Sequence, residues 1–319
     1  DSSLDRRPDR KARGGLDPAR FGGMLHVERI VGTDSGRGGM SDRQRTAIVT
    51  GAAGGIGRAL VRGLLDAGIR VAASDRTEEG LRALEASARE RGKEAALLTV
   101  EADLARDDAV DRIVSAARNR FGTIDILVNN AGVGQATIRS DNRQNPIKFW
   151  EVTPEQWRLF VAVHTNAPMA LSRAVVHDMM RQRWGRIVNV TTSLGTMIRA
   201  GSPTYGPSKA ALEAFSAIMA KDLDGTGVTV NVIVPGGVTN TGMVPLEAGY
   251  AREEMIQPDV MAPPLVWLVS DAAAGVTGRR FLGVHWDPTL PPEQAAEKAG
   301  APVAWTSIAT MPIEPPRRS

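Results

Sequence analysis

The feature that most constrains this chain is Thr50-Gly51-Ala52-Ala53-Gly54-Gly55-Ile56-Gly57, because it stands between a short β-branched run at 46–50 and an amphipathic stretch at 56–67. Glycines at these intervals let a strand turn directly into a helix. Gly51 permits the tight turn, Gly55 lets the backbone approach a ligand, and Gly57 lets the helix pack close to the strand. The helix amino terminus, with Ile56 in its first turn, then offers unpaired N–H groups and a positive dipole, which is the chemistry that holds a pyrophosphate.

Downstream the same alternation repeats. Strands are expected at 46–50, 70–74, 95–100, 124–129, 186–190, 228–234 and 279–284, with helices near 56–67, 78–91, 107–120, 153–183, 205–223 and 264–270. Strand–helix alternation of this length implies parallel strands joined by right-handed crossovers. The expected fold is therefore α/β: a Rossmann-type, doubly wound parallel sheet of about seven strands with helices on both faces. One catalytic domain is expected over 45–286. The Arg-, Asp- and Gly-rich residues 1–44 read as a disordered extension, and 287–319, with seven prolines, as an irregular surface tail. Another irregular stretch, 236–258, follows the sixth strand at the carboxyl edge of the sheet and is a candidate lid.

Composition narrows the chemistry. With no cysteine, disulfides, thiolate nucleophiles and Cys-type zinc sites are excluded together, and the four histidines lie too far apart for a local metal cluster. No metal is expected. The net charge of +3 comes entirely from residues 1–45, which hold 10 basic and 7 acidic residues, so the remainder is neutral and no nucleic-acid footprint is expected. The apolar runs stop short of the roughly 18 residues a bilayer span needs, and no membrane partner is expected.

Eighteen residues past Gly57, the second strand ends in Asp75-Arg76. A carboxylate there accepts hydrogen bonds from the adenosine ribose and repels a 2′-phosphate, favouring NAD. Arg76 beside it has the chemistry to hold that phosphate instead, which keeps NADP open. Asp103 and Leu104, after the third strand, are candidates for the adenine. Asn130, Ala131 and Gly132 close the fourth strand with small residues that let the backbone come near the cofactor. Tyr205 and Lys209 are four apart at the start of a helix and share a face. A phenol is a poor base at neutral pH, and a neighbouring ammonium is expected to lower its pKa.

These pieces together (TGAAGGIG at 50–57, Asp75, NNAG at 129–132, YGPSK at 205–209 and PGG at 235–237) resemble the short-chain dehydrogenase/reductase family across roughly 45–282. The resemblance implies that Tyr205 is the general acid/base and that Lys209 tunes it and binds the nicotinamide ribose. It implies that Pro235, Gly236, Val238 and Thr239 border the nicotinamide, and that a hydroxyl upstream holds the substrate oxygen. The family's serine position, thirteen residues before the tyrosine, falls on Thr192, with Ser193 adjacent; either hydroxyl has the right chemistry. The family's water-holding asparagine is matched by His164, read either as a proton relay or as a packing histidine. The closing segment FLGVHWDP at 281–288 departs from the family pattern, in which that last strand often pairs subunits.

The expected activity is hydride transfer between NAD (or NADP) and a small-molecule secondary alcohol or ketone, in a cytoplasmic homo-dimer or homo-tetramer. Reduction of 3-oxoacyl thioesters and non-catalytic NAD(H) sensing are the alternatives. The expected substrate lining is 133–150 with the lid, including Gln135, Arg139, Asp141, Asn142, Arg143, Lys148, Phe149, Trp150 and Met243.

Overall fold

The computed structural model describes residues 43–306 and 308; the expected disordered extension lies outside the described residues except for its last two positions. The chain runs β1 (Thr46–Thr50), α1 (Gly55–Asp66), β2 (Arg70–Asp75), α2 (Glu78–Glu90), β3 (Leu97–Glu101), α3 (Ala109–Phe121) and β4 (Ile126–Asn129). It continues through α4 (Pro154–Val161), a π-helical turn at Ala162–Asn166, α5 (Ala167–Gln182), β5 (Gly185–Val190), α6 (Leu194–Met197), α7 (Tyr205–Asp222) and β6 (Val228–Val234). Then come α8 (Ala262–Leu268), β7 (Arg279–Leu282), α9 (Pro292–Ala299) and β8 (Gly300–Pro302).

The eight strands lie in the order β3-β2-β1-β4-β5-β6-β7-β8, parallel except for β8. Strand order reverses between β1 and β4, the place where such sheets open a crevice at their carboxyl ends. All five residues of β1 are buried because both sheet faces are covered, and successive side chains serve opposite cores. Ala47 and Val49 pack with Leu60 and Leu64 of α1 and Leu265 of α8. Ile48 packs with Ile113 of α3, Leu171 of α5 and Met219 of α7.

Three differences from the sequence reading have physical causes. The expected single helix over 153–183 is broken by the π turn at Ala162–Asn166, which inserts an irregular step where His164 sits. The α4–α5 stretch, Pro154–Gln182, is also long and apolar enough by length and composition to cross a membrane, against the expectation that no run reaches that length. Its residues Phe160, Leu171, Val175 and Met179 are fully buried in the protein interior, which is why a core helix passes that test.

The third difference is the tail. Pro292–Ala299 is a helix that buries Ala295, Ala296 and Ala299 in the core on the α1 side of the sheet, and Gly300–Pro302 adds an antiparallel eighth strand to β7. The irregular tail expected from proline content is thus part of the sheet up to Pro302. Proline at the helix start and at an edge-strand position breaks no ladder, so composition alone misjudged it.

Candidate active site

The glycine turn is built as its spacing requires. Gly51 has φ +63°, and a Cβ there would meet Ala131 Cα at 2.6 Å; a Cβ on Gly57 would fall 2.0 Å from the Gly51 carbonyl oxygen. Thr50 Oγ1 accepts the N–H groups of Asn130 and Ala131, each at 3.1 Å. Asn130 Nδ2 donates in return to the carbonyls of Thr50 and Gly51 at 2.9 and 3.0 Å. The turn after β4 is therefore locked to the turn after β1. What lies against Gly55 is Thr241, whose Cγ2 would be 2.9 Å from an added Cβ, so the segment after β6 crosses the glycine turn.

Beside this turn an open cleft of about 480 Å3 is lined by Gly51, Asp75, Arg76, Asp103, Leu104, Ala131 and Gly132, all of them residues singled out from the sequence. Ser74, Ala102, Val133, Leu159 and Val163 complete it. The apolar ones carry no chemical signature in the sequence; Leu159 and Val163, four apart on a helix, read only as core. Asp75 Oδ2 accepts the Ala53 N–H at 3.0 Å, and its Oδ1 accepts from the Thr77 N–H and hydroxyl. That pins the carboxylate at the mouth of the cleft. Asp103 Oδ1 accepts the Ala105 N–H at 3.0 Å. The cradle of glycines without room for side chains, next to a carboxylate-edged cleft, fits a dinucleotide.

Farther along the carboxyl edge, Pro235 accepts the Val284 N–H, and Gly236 has φ +106° with Val284 packed where a Cβ would be. Val238 and Asn240 bond Ile256 through their backbones at 3.0 and 2.8 Å, and the Thr239 hydroxyl donates to the Gly237 carbonyl. The lid expected over 236–258 is thus tied back on itself. Its Met243 lies over Gly132 and Gly134, which have no side chain to obstruct it.

Tyr205 and Thr192 are brought together, close enough for the Thr192 hydroxyl to act on the Tyr205 phenol and lower its pKa. Ser193 instead precedes α6, with its carbonyl accepting from Thr196 and Met197. Lys209 is 3% exposed and donates from Nζ to the Val190 carbonyl at 2.8 Å. Burial drives its pKa down to about 8. The expected acidification of Tyr205 by Lys209 is corrected here. Burial raises the Tyr205 pKa, opposed by the Thr192 hydroxyl and by the guanidiniums of Arg199 and Arg143. Both groups are desolvated, so each resists the charged form that the other was expected to stabilise.

His164 does not fit the relay reading. It is fully buried; Nε2 accepts the Val133 N–H at 2.9 Å and Nδ1 faces the Ser208 hydroxyl at 2.8 Å. An acceptor Nε2 fixes the proton on Nδ1, which donates to Ser208, and Ser208 passes its own proton to the Thr204 carbonyl. With both nitrogens engaged, no ring position is left for a water. The ring stands edge-on to Phe160 and Tyr205 at 5.5 and 5.3 Å, supporting the phenol by packing. Burial, helped by Lys209, holds the imidazole pKa well below 6.5. Below pH 6.5 the unfolded chain therefore binds a proton that the folded one refuses, so stability is lost as pH falls from 6.5 toward the native value. Denaturant titrations of the wild type and His164→Asn at pH 7 and 5 should show a stability gap that narrows on acidification.

The 133–150 stretch is only partly a lining. Arg139 is held by Glu151 at 3.0 Å, and Gln135 bonds the Gly201 carbonyl and the Thr204 hydroxyl. Phe149 and Trp150 are 75% and 71% exposed, stacked edge-on against each other, and face outward. Arg143 lies over the Tyr250 ring at 5.8 Å. Arg199, which the sequence did not single out, acts on Tyr205 from the loop after α6.

Residues 45–248 match the family model described as short chain dehydrogenase. The chain is 31% identical over 242 residues to a 3-oxoacyl-acyl-carrier-protein reductase of Vibrio cholerae, covering 73% of this chain and 93% of that one. It is 30% identical over 280 residues to fluoren-9-ol dehydrogenase of a Terrabacter species, covering 82% and 75%. Among solved structures, a metagenomic short-chain oxidoreductase in complex with NADP aligns with TM-score 0.63 at 29% identity, over 75% of this chain and 96% of that one. A variant of actinorhodin polyketide ketoreductase with NADPH aligns with TM-score 0.64 at 28% identity, over 73% and 93%. A family model over residues 45–248, well over half of the chain, and relatives of 30% identity or more over more than two thirds of their length agree: the chain belongs to the short-chain dehydrogenase/reductase family of NAD(P)-dependent oxidoreductases.

Proposed function

We propose that this protein interconverts a secondary alcohol and its ketone, with Tyr205 as general acid/base and Thr192 as the hydroxyl that orients the substrate oxygen. The observation that carries the reading is that α7 brings Tyr205 and Lys209 to the end of β5, where Lys209 meets the Val190 carbonyl and Thr192 lies close to the phenol. The nicotinamide, when bound, supplies the hydride acceptor or donor. In the oxidation direction Tyr205 takes the proton of the substrate hydroxyl, and Thr192 donates to the oxygen as charge develops on it. In reduction Tyr205 returns that proton. Lys209, whose ammonium donates to the Val190 carbonyl, would hold a ribose hydroxyl of the bound dinucleotide.

Gly51, Gly55, Ile56 and Gly57 would hold the pyrophosphate, Asp75 the adenosine ribose, Asp103 and Leu104 the adenine edge, and Val238 and Thr239 the carboxamide. Asp75 favours NAD, while the adjacent Arg76 and the NADP and NADPH bound to the two aligned structures keep NADP as a second cofactor. Arg143 and Arg199 meet no carboxylate among the described residues and both act on the phenol, so a substrate with an acidic group near the reacting carbon suits the site best. A cytoplasmic homo-dimer or homo-tetramer remains the expected setting, with subunits meeting away from the β7 edge because β8 occupies it.

The test is absorbance of NAD(H) and NADP(H) over a panel of hydroxy acids, neutral secondary alcohols and the matching ketones. Thr192→Ala should lower kcat by about a hundred- to a thousandfold, the range for a lost donor to a developing oxyanion, while Ser193→Ala stays within about twofold. The reverse pattern would transfer the role to Ser193, and binding without turnover across the panel would sink the redox reading.

A further inference from the structure

Behind Thr192 lies a buried charge pair that neither the glycine turn nor the Tyr205–Lys209 helix face explains. Glu213 on α7 is 0% exposed and Arg280 on β7 is 6% exposed, with Arg280 Nε 3.0 Å from Glu213 Oε1. Glu213 Oε2 accepts the Thr191 hydroxyl at 2.7 Å, and Oε1 also accepts the N–H of Ala304 at 3.1 Å. Arg280 Nη2 donates to the carbonyl oxygen of Thr192 at 2.8 Å. Ala304 adopts φ +57°, a left-handed conformation that an alanine holds only under constraint.

A buried ion pair is poor value as a stabiliser, because desolvation of two charges offsets most of their attraction and an apolar pair of similar volume would serve as well. What this pair does that an apolar one would not is grip the strand end at two points, Thr191 by its side chain and Thr192 by its main chain. The grip needs a planar fork: Nε stands at ion-pair distance from the carboxylate without a directed hydrogen bond, while Nη2 donates to the carbonyl. We propose that Glu213 and Arg280 are positioning residues that fix the end of β5 so that the Thr192 hydroxyl is held against Tyr205, with the backbone of Ala304 latching Glu213 from the carboxyl-terminal segment. The inference rests on the reading of Thr192 and Tyr205 as the reacting pair.

The chain has two tyrosines, Tyr205 and Tyr250, so protein labelled with 13C at tyrosine Cζ gives two signals, assigned with Tyr250→Phe. Thr192→Val defines how far the Tyr205 signal moves when its hydroxyl partner is lost. Arg280→Lys keeps a cation beside Glu213 but has no second nitrogen for the Thr192 carbonyl. It should move the Tyr205 signal at least about half as far as Thr192→Val does and lower kcat about five- to tenfold, with KM for the dinucleotide within about twofold. Glu213→Leu combined with Arg280→Met removes the pair without stranding a charge and should move the signal the same way.

Arg280→Lys with the signal at its wild-type position and kcat within about twofold overturns the proposal. So does the folded double variant behaving like the wild type. Loss of fold in both variants also overturns it, since the pair would then serve folding alone. If Thr192→Val itself leaves both signal and turnover unchanged, it is the reading of the reacting pair that fails; if Thr192→Val moves both and Arg280→Lys neither, only the positioning role fails.

Discussion

Tyr205→Phe is expected to lower kcat by about three orders of magnitude while leaving dinucleotide affinity within about twofold, since general acid/base groups contribute on the order of 10²–10⁴. The substitution removes one oxygen and keeps the ring, so the edge-on contact with His164 at 5.3 Å survives and the fold should be unaffected. The remaining catalysis would come from orientation and from Thr192. Single-turnover measurements with saturating dinucleotide isolate the chemical step, and a variant that still oxidises its best alcohol at the wild-type rate would remove Tyr205 from the mechanism.

Gly57→Ala is expected to weaken dinucleotide binding by at least about a hundredfold, near 3 kcal/mol, and to lower folding stability by about 1–3 kcal/mol. The added methyl would lie 2.0 Å from the Gly51 carbonyl oxygen and 2.7 Å from Ala52 Cα, both backbone atoms that no side-chain rotation can clear. α1 must therefore shift away from the turn, carrying its amino terminus off the pyrophosphate position. Calorimetric titration with NAD and a thermal melt check both effects. A control is at hand in Gly68, where a Cβ would meet nothing within 4 Å; although its φ of +77° makes alanine strained there, its substitution should cost stability without touching affinity.

The residues that build the glycine turn and edge the cleft were legible because their placement is local. Gly51, Gly55 and Gly57 work through the backbone of a single turn, and Asp75 and Asp103 stand at strand ends that any parallel sheet brings to one edge. Tyr205 and Lys209 share a helix face by spacing alone. His164 was legible as an unusual residue but not as to its role, which depends on Val133 and Ser208, partners 31 and 44 residues away. The tail was misread for a related reason. Seven prolines suggest irregular chain, yet α9 and β8 are secured by contacts with β7 and the core on the α1 side, none of which is visible in the composition.

By itself the sequence determined the seven parallel strands, the glycine turn and the shared helix face of Tyr205 and Lys209, because these follow from short-range periodicity, backbone freedom and helix geometry. Only the tertiary structure decided that burial shifts both Tyr205 and Lys209 toward their neutral forms, and that Glu213 and Arg280 close on the same strand end. Hydrogen-bond partners and desolvation are set by atoms far apart along the chain, and no local pattern encodes where a buried charge will find its counterpart.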